Sequence, residues 1–317
     1  MQRKLVKQGG SALTITLPSK WIKQQELKAG EEIELNERGK EIVVSTKKGF
    51  SAGKICLDIS GYSMGLIIRN ITAAYKLGYN EIELKFNNPK ISYTPKIGYP
   101  HSGKEISTIA FVQMVTGGLL GMDMIEQSKN SCLIKELAEI KDIEFKNILR
   151  KVFLLFISMF ENTLEYMKEN NEDILHPIFN IEDSINKDTN FCFRILNRSD
   201  YEDYKKTSTM YCFITQLELI ADRNIHLVKA IERKKTKVSK DIVKIYEETA
   251  AIYKEFYENY YKFDKKRLVD LYYRSLKNED KISELLKKGK NVEELQYCFI
   301  ITKLFSDLVQ TQLEISF

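Results

Sequence analysis

The chain has 317 residues, of which 43% are hydrophobic and 29% are charged. This composition predicts a soluble protein with enough chain for two or three hydrophobic cores. The most apolar stretch, 109–125, is interrupted by Gln113 and Asp123, so no membrane span is expected, and the polar N-terminus predicts no signal peptide. Five scattered cysteines without a C-x-x-C motif favour a reduced, cytoplasmic protein over a disulfide framework or a zinc ribbon.

The net charge of +5 is concentrated at the N-terminus. The first 23 residues contain no acidic residue and five basic ones, namely Arg3, Lys4, Lys7, Lys20 and Lys23. The rest of the chain therefore has equal numbers of basic and acidic residues. A basic cluster on one small element is typical of a surface that binds a polyanion, although a solvated lysine-rich terminus would have the same composition.

Residues 1–50 have the pattern of short β-hairpins. Apolar residues alternate with threonines over 13–17, which predicts a half-buried strand that ends at Pro18, and Ser19 is positioned to cap a short helix. Two further strands, 32–35 and 41–45, are predicted on either side of a turn that contains Gly39. Because such short hairpins bury little core by themselves, we expect a second copy of the chain to complete this region.

Residues 51–142 are predicted to form a small α/β segment. Strands over 54–60 and 81–86, with a helix over 64–77 between them, indicate a βαβ unit. A helix over 104–115 and two strands, over 122–126 and 132–134, are expected to follow.

Residues 143–317 are predicted to be almost wholly helical, because 14 of the 15 glycines and four of the five prolines precede them. Polar breaks divide this part into six helices, at 145–169, 173–199, 202–233, 238–260, 263–288 and 291–315. Their similar lengths and short connections favour two three-helix bundles. The aromatic residues between Tyr253 and Tyr261 lie at helical spacing, which favours bundle packing over a platform for stacking bases.

The N-terminal motifs resemble the SpoVT/AbrB and MazE-type swapped-hairpin DNA-binding domains. The resemblance covers 1–47 and lies in Arg3-Lys4-Leu5, Gly9-Gly10-Ser11, Leu17-Pro18-Ser19-Lys20-Trp21, Leu27-Lys28-Ala29-Gly30-Glu31 and Val43-Val44. It implies a homodimer of interleaved hairpins formed through residues 1–50 that binds double-stranded DNA. The candidate DNA-binding residues are Arg3, Lys4, Lys7, Ser11, Thr14, Thr16, Lys20 and Lys23. If about five of the basic residues neutralise phosphates, log K should fall with log salt with a slope of about −4 to −5.

The helical part resembles PhoU, a phosphate-signalling regulator built of two three-helix repeats. Joined to an AbrB-like head, it resembles the archaeal phosphate uptake regulators, which implies a phosphate transporter or signalling partner. PhoU-type proteins bind metal through E-x-x-x-D pairs, and Glu218 and Asp222 fit that motif, with Glu182 as a further candidate ligand for a divalent or iron-type metal. The other expected pairs are broken by Asn186, Ser283 and Lys303, which favours a polar helix seam or intrahelical ion pairs as the explanation of Glu218 and Asp222.

Gly61 to Gly65 form a G-x-S-x-G motif, which is typical of a hydrolase nucleophile elbow at Ser63. His101, His176 or His226 would have to supply the base. A hydrolase sheet needs several strands before the elbow and a glycine-rich oxyanion segment, and the sequence offers neither. We therefore interpret Ser63 as a helix cap, with anion binding by the backbone at 63–65 left open.

Together these patterns predict a multidomain α+β protein. Its expected parts are a swapped-hairpin β domain (1–50), a small α/β middle segment (51–142) and a PhoU-like pair of three-helix bundles (143–317). The expected function is that of a non-enzymatic, DNA-binding transcription regulator linked to phosphate homeostasis. The alternative is an adaptor that acts on a phosphate transporter or kinase by protein contacts, in which the head serves only for dimerisation.

Overall fold

A computed structural model describes residues 2–10, 12–46, 53–93, 104–137, 143–198 and 204–317. The chain divides into two compact units, 1–50 and 51–317. The predicted division of the rest of the chain into segments 51–142 and 143–317 stays a prediction. The order of a β-hairpin head, an α/β segment and a helical region is confirmed. Within the described ranges, no helix is long and apolar enough to cross a bilayer.

The first unit consists of two separate hairpins joined by a short helix. Strands β1 (Val6–Gln8) and β2 (Ala12–Thr14) form one hairpin, helix α1 (Ser19–Gln24) follows, and β3 (Ile33–Arg38) pairs with β4 (Glu41–Thr46). Strand β1 was not predicted, and β2 is shorter than the alternation over 13–17 suggests. The predicted capping by Ser19 is wrong, because Pro18 occupies the N-cap position and α1 has no side-chain capping bond.

The second unit begins with a four-stranded sheet. Strand β5 (Lys54–Asp58), helix α2 (Met64–Lys76) and the parallel strand β6 (Glu81–Lys85) form the predicted βαβ unit. Strands β9 (Met122–Gln127) and β10 (Ser131–Glu136) complete the order β5-β6-β10-β9. One face of the sheet is apolar and belongs to the core, whereas the other carries ion pairs such as Lys54–Glu83 at 2.7 Å.

The region predicted as a helix over 104–115 begins differently. Strand β8 (Lys104–Ser107) pairs with β7 (Lys90–Tyr93), and helix α3 (Thr108–Gly117) starts only after it. Thr108 explains the change of direction, because its buried hydroxyl donates to the carbonyl of Asn88 at 2.6 Å. His101 lies outside the described residues.

The helical region agrees closely with the predicted bounds. Its helices are α4 (Ile143–Glu169), α5 (Leu175–Arg198), α6 (Thr207–Lys234), α7 (Lys240–Tyr261), α8 (Lys265–Leu286) and α9 (Val292–Ser316). Helices α4, α5 and α6 pack together, as do α7, α8 and α9, while α6 lies along α9 and α4 along α7. The largest difference from the prediction is at the start of α6, next to residues 199–203, which lie outside the described ranges.

The aromatic run on α7 packs inside the helical region, as predicted. Tyr253 and Phe256 are buried, and both contact the ring of Phe153 on α4, with centroids 6.0 and 6.5 Å apart. Phe153 also contacts Phe213 of α6 at 6.0 Å. Tyr261, by contrast, is 47% exposed at the end of α7. The run therefore joins three helices rather than presenting a surface of stacked rings.

A buried arginine connects the α/β segment to the helices. Arg194 of α5 is 1% exposed, and its Nη1 donates to the carbonyl oxygens of Tyr75 at 2.8 Å and Tyr79 at 3.0 Å, near the end of α2. Its Nη2 lies 3.2 Å from Oε1 of Glu136 without hydrogen-bond alignment, and Arg198 reaches the same oxygen at 2.5 Å. These contacts explain why 51–317 forms a single unit.

Candidate nucleic-acid interface

The five basic residues of the first 23 positions lie on different elements of the head. Arg3 and Lys4 precede β1, Lys7 lies within it, and Lys20 and Lys23 are on α1; all five are exposed. Long cationic side chains in this setting reach several phosphates without fixing a base sequence. The head therefore exposes cations on several elements, an arrangement suited to a polyanion.

The strand register separates two of the predicted contact residues. Val6 pairs with Thr14 and Lys7 pairs with Leu13, so Lys7 and Thr14 lie on opposite faces of this hairpin. The Thr14 hydroxyl donates to the carbonyl of Val6 at 3.1 Å, which gives it a structural role in the hairpin. Thr16 is exposed beyond the end of β2, and Ser11 lies outside the described residues. The structure thus does not bring all eight predicted residues onto one strand face.

The apolar face of the β3–β4 hairpin was not predicted from the sequence. The register places Leu35 opposite Val44 and Ile33 opposite Thr46, so these side chains share a face with Ile42. Leu35 is 62% exposed and Ile42 is 65% exposed. Among the described residues of the head whose burial is defined, none is buried. The available signal for this uncovered face was the spacing of Ile33 and Leu35 and of Ile42 and Val44, at every second position.

The three candidate metal ligands occupy a polar seam between helices. Glu218 of α6 has its Oε2 3.6 Å from Nζ of Lys76 on α2, and Glu182 of α5 accepts a hydrogen bond from Asn186 at 2.6 Å. Burial raises the pKa of the Glu218 carboxyl; Lys76 opposes the increase, and Asp222 adds to it. Across the described ranges, no three His, Cys, Asp or Glu side chains are grouped so that they could hold a metal ion. Metal binding here stays a prediction without support from the geometry.

The seam leads to a pH-dependent prediction for Glu218→Gln. Since the folded-state pKa of this carboxyl is raised, its ionised form costs stability at neutral pH, and the variant should have a higher Tm than the wild type. The advantage should be full above the folded-state pKa and should shrink as the pH falls toward the ordinary glutamate value. Thermal melts over a pH series measure it. A wild-type Tm that Mn²⁺ or Fe²⁺ raises, with the increase lost in the variant, would indicate a metal ligand instead.

Ser63 lies at the N-cap position of α2, as predicted, but makes no side-chain capping bond. Gly61 has a φ of 73°, the left-handed conformation that glycine adopts readily, and so permits the sharp turn after β5. Because β5 is at the edge of the sheet, this turn is not at the centre of a sheet as a hydrolase elbow would be. The geometry favours the interpretation of 61–65 as a turn that starts a helix.

Comparison with known proteins gives one match for each end of the chain. The crystal structure of the phosphate transport system regulatory protein PhoU from Streptococcus pneumoniae is similar to 55% of this chain and 94% of its own, with 10% sequence identity and a TM-score of 0.44. No curated protein matches the chain. At the N-terminus, residues 6–51 match the family described as antidote-toxin recognition MazE, bacterial antitoxin. Residues 6–51 are therefore a MazE/AbrB-like domain.

Proposed function

We propose that this chain is a DNA-binding transcription regulator whose head, residues 1–50, dimerises and binds duplex DNA. The observation that carries the proposal is that the family match and the excess positive charge fall on the same short unit. The helical part would sense a signal or contact a partner, and a link to phosphate uptake rests on the resemblance of 143–317 to PhoU. The rival is an adaptor acting through protein contacts alone.

The homodimer is supported by the uncovered apolar face of the head. Apolar side chains that are more than half exposed occur on both hairpins, including Leu13, Leu35 and Ile42. A domain of about 50 residues that leaves such side chains in water lacks the burial it needs to fold alone. A second copy would supply the same face by two-fold symmetry.

The test of DNA binding is the double variant Arg3→Ala/Lys7→Ala. Its affinity for random-sequence duplex DNA should fall several-fold, because both side chains are exposed cations of the proposed interface. If all four sites of a dimer contact phosphates, the slope of log K against log salt should become shallower by about 3 to 4. Binding curves over a salt series measure both effects.

The matched control is Lys28→Ala/Lys40→Ala, which removes two exposed charges from the same unit outside the proposed contact set. This control should keep more of the wild-type affinity for duplex DNA than Arg3→Ala/Lys7→Ala does. Equal losses in the two variants would show that net charge alone matters. If the wild-type chain binds no DNA even at low salt, the adaptor function replaces the proposal.

A further inference from the structure

One end of the helical region carries a second concentration of positive charge. Residues 233–240 connect α6 to α7, and 287–292 connect α8 to α9; neither segment contains an acidic residue. Ion pairs bring the two connections to the same end, because Arg233 reaches Glu293 at 2.5 Å and Lys234 reaches Glu294 at 2.6 Å. The six lysines of these two segments that form no ion pair are called the basic loop pair: Lys235, Lys237, Lys240, Lys287, Lys288 and Lys290.

Nearby carboxylates offset the charge of the basic loop pair only in part, and Glu232 is close enough to Lys235 for the two charges to attract each other. All six lysines are exposed, and none makes an ion pair with a residue in the described part of the chain. Acidic residues do flank the loops. Asp241 lies in the first turn of α7 and Glu284 near the end of α8, but neither forms an ion pair with the six lysines. Six like charges this close repel one another, and an anionic partner would relieve that repulsion.

Helix stabilisation does not explain all of these positions. Lysines at the ends of α6 and α8 complement the helix dipole, as Lys235 and Lys287 do. Lys240, however, is the first residue of α7, and Lys290 directly precedes Asn291, the N-cap of α9. A cation at a helix N-terminus is unfavourable, so these two lysines cost stability where they stand. Their positive charge is better explained by a ligand than by the fold.

We propose that the basic loop pair is a second surface of this protein that binds the phosphate backbone of duplex DNA. The inference rests on the proposed function of the head: once the head holds DNA, the tethered helical region meets the same duplex at a high effective concentration, so even weak phosphate contacts add affinity. The two segments contain no aromatic residue and no leucine; their apolar side chains are Val238 and Val292, which are smaller than the Trp, Phe and Leu side chains with which interfacial segments enter a membrane.

The test compares full-length variants in salt titrations of binding to random-sequence duplex DNA. Substituting all six lysines of the basic loop pair by glutamine should make the slope of log K against log salt shallower by about 3, if about three of the lysines in the dimer contact phosphates, and should weaken binding more than tenfold at low salt. The triple variant Lys287→Gln/Lys288→Gln/Lys290→Gln should show roughly half of the change in slope. Its matched control is Lys262→Gln/Lys265→Gln/Lys266→Gln, which removes three exposed lysines around Asp264 between α7 and α8 and should bind like the wild type.

The outcomes separate this inference from the proposed function. Wild-type binding by the six-lysine variant, with weakened binding by Arg3→Ala/Lys7→Ala, overturns the second surface and leaves the head as the DNA-binding unit. Loss of binding in the six-lysine variant alone supports the surface and overturns the role of the head. Equal losses in the two triple variants overturn the inference, because net charge then accounts for both. A six-lysine variant that binds DNA like the wild type but no longer binds phosphatidylserine-containing vesicles also overturns the inference, because a membrane would then be the partner.

Discussion

Replacing Arg194 by methionine should lower the free energy of unfolding by about 3 kcal/mol and the Tm by roughly 6 to 12 °C. Methionine fills much of the same volume, so the loss comes from the guanidinium. The carbonyl of Tyr79 would lose its donor, the carbonyl of Tyr75 would keep only the backbone N–H of Gly78 at 2.9 Å, and Glu136 would lose one of its two arginines. Leaving buried polar groups without partners costs more than an ordinary hydrogen bond contributes.

The matched control is Arg274→Met, on α8, whose side chain pairs with carboxylates of α7. Arg274 has more ion pairs than Arg194, with Glu248 and Glu255 both at 2.8 Å and Asp270 at 3.5 Å. Its side chain is 27% exposed, however, so water solvates the carboxylates that the substitution leaves behind, and the expected cost is about 1 kcal/mol or less. Differential scanning calorimetry of both variants compares the two costs.

The Arg194→Met variant also tests whether this side chain joins two parts of one cooperative unit. If it does, Arg194→Met should also speed amide hydrogen exchange and proteolysis around residues 75–80, which contain the carbonyls that accept its hydrogen bonds. A decrease in Tm no larger than that of Arg274→Met would contradict the role given to this residue. Arg194→Lys should recover only part of the loss, because a single ammonium nitrogen cannot replace both Nη1 at the two carbonyls and Nη2 beside Glu136.

The helices were predictable because their signal is local. A segment with a single glycine and a single proline in 175 residues, with apolar residues at helical spacing, has few alternatives to a helical bundle. The Arg194 contacts are different, because they join residues 119 and 115 positions apart. Periodicity along one helix cannot show which backbone carbonyls a buried arginine will meet.

The candidate sites also depend on contacts that the local sequence pattern does not show. The positive charge of the head and the exposure of its basic residues follow from the sequence, but the face of each residue depends on pairing with β1, which lacks an alternating pattern. Likewise, the spacing of Glu218 and Asp222 places both carboxylates on one side of α6. It does not reveal that Lys76 of α2 lies beside Glu218.

Replacing Leu35 by aspartate should dissociate the proposed dimer and abolish tight DNA binding. Leu35 lies on the apolar face of the β3–β4 hairpin and is 62% exposed in a single chain. Covering such a side chain contributes about 2 kcal/mol, and a two-fold dimer contains it twice. Losing about 4 kcal/mol weakens association roughly a thousandfold, and the desolvation of two carboxylates adds to that loss.

The control for Leu35→Asp is Glu34→Asp, because it places the same side chain at the adjacent position, where the strand points to the other face. Sedimentation velocity should give a dimer for the wild type and for Glu34→Asp, but a monomer for Leu35→Asp. Circular dichroism should show the helical signal retained in all three, since residues 51–317 form a separate compact unit. A wild-type chain that sediments as a monomer, or a dimer that survives Leu35→Asp, would mean that some other surface covers this face. The head would then need a different partner to complete its core, because its described residues with defined burial include no buried side chain.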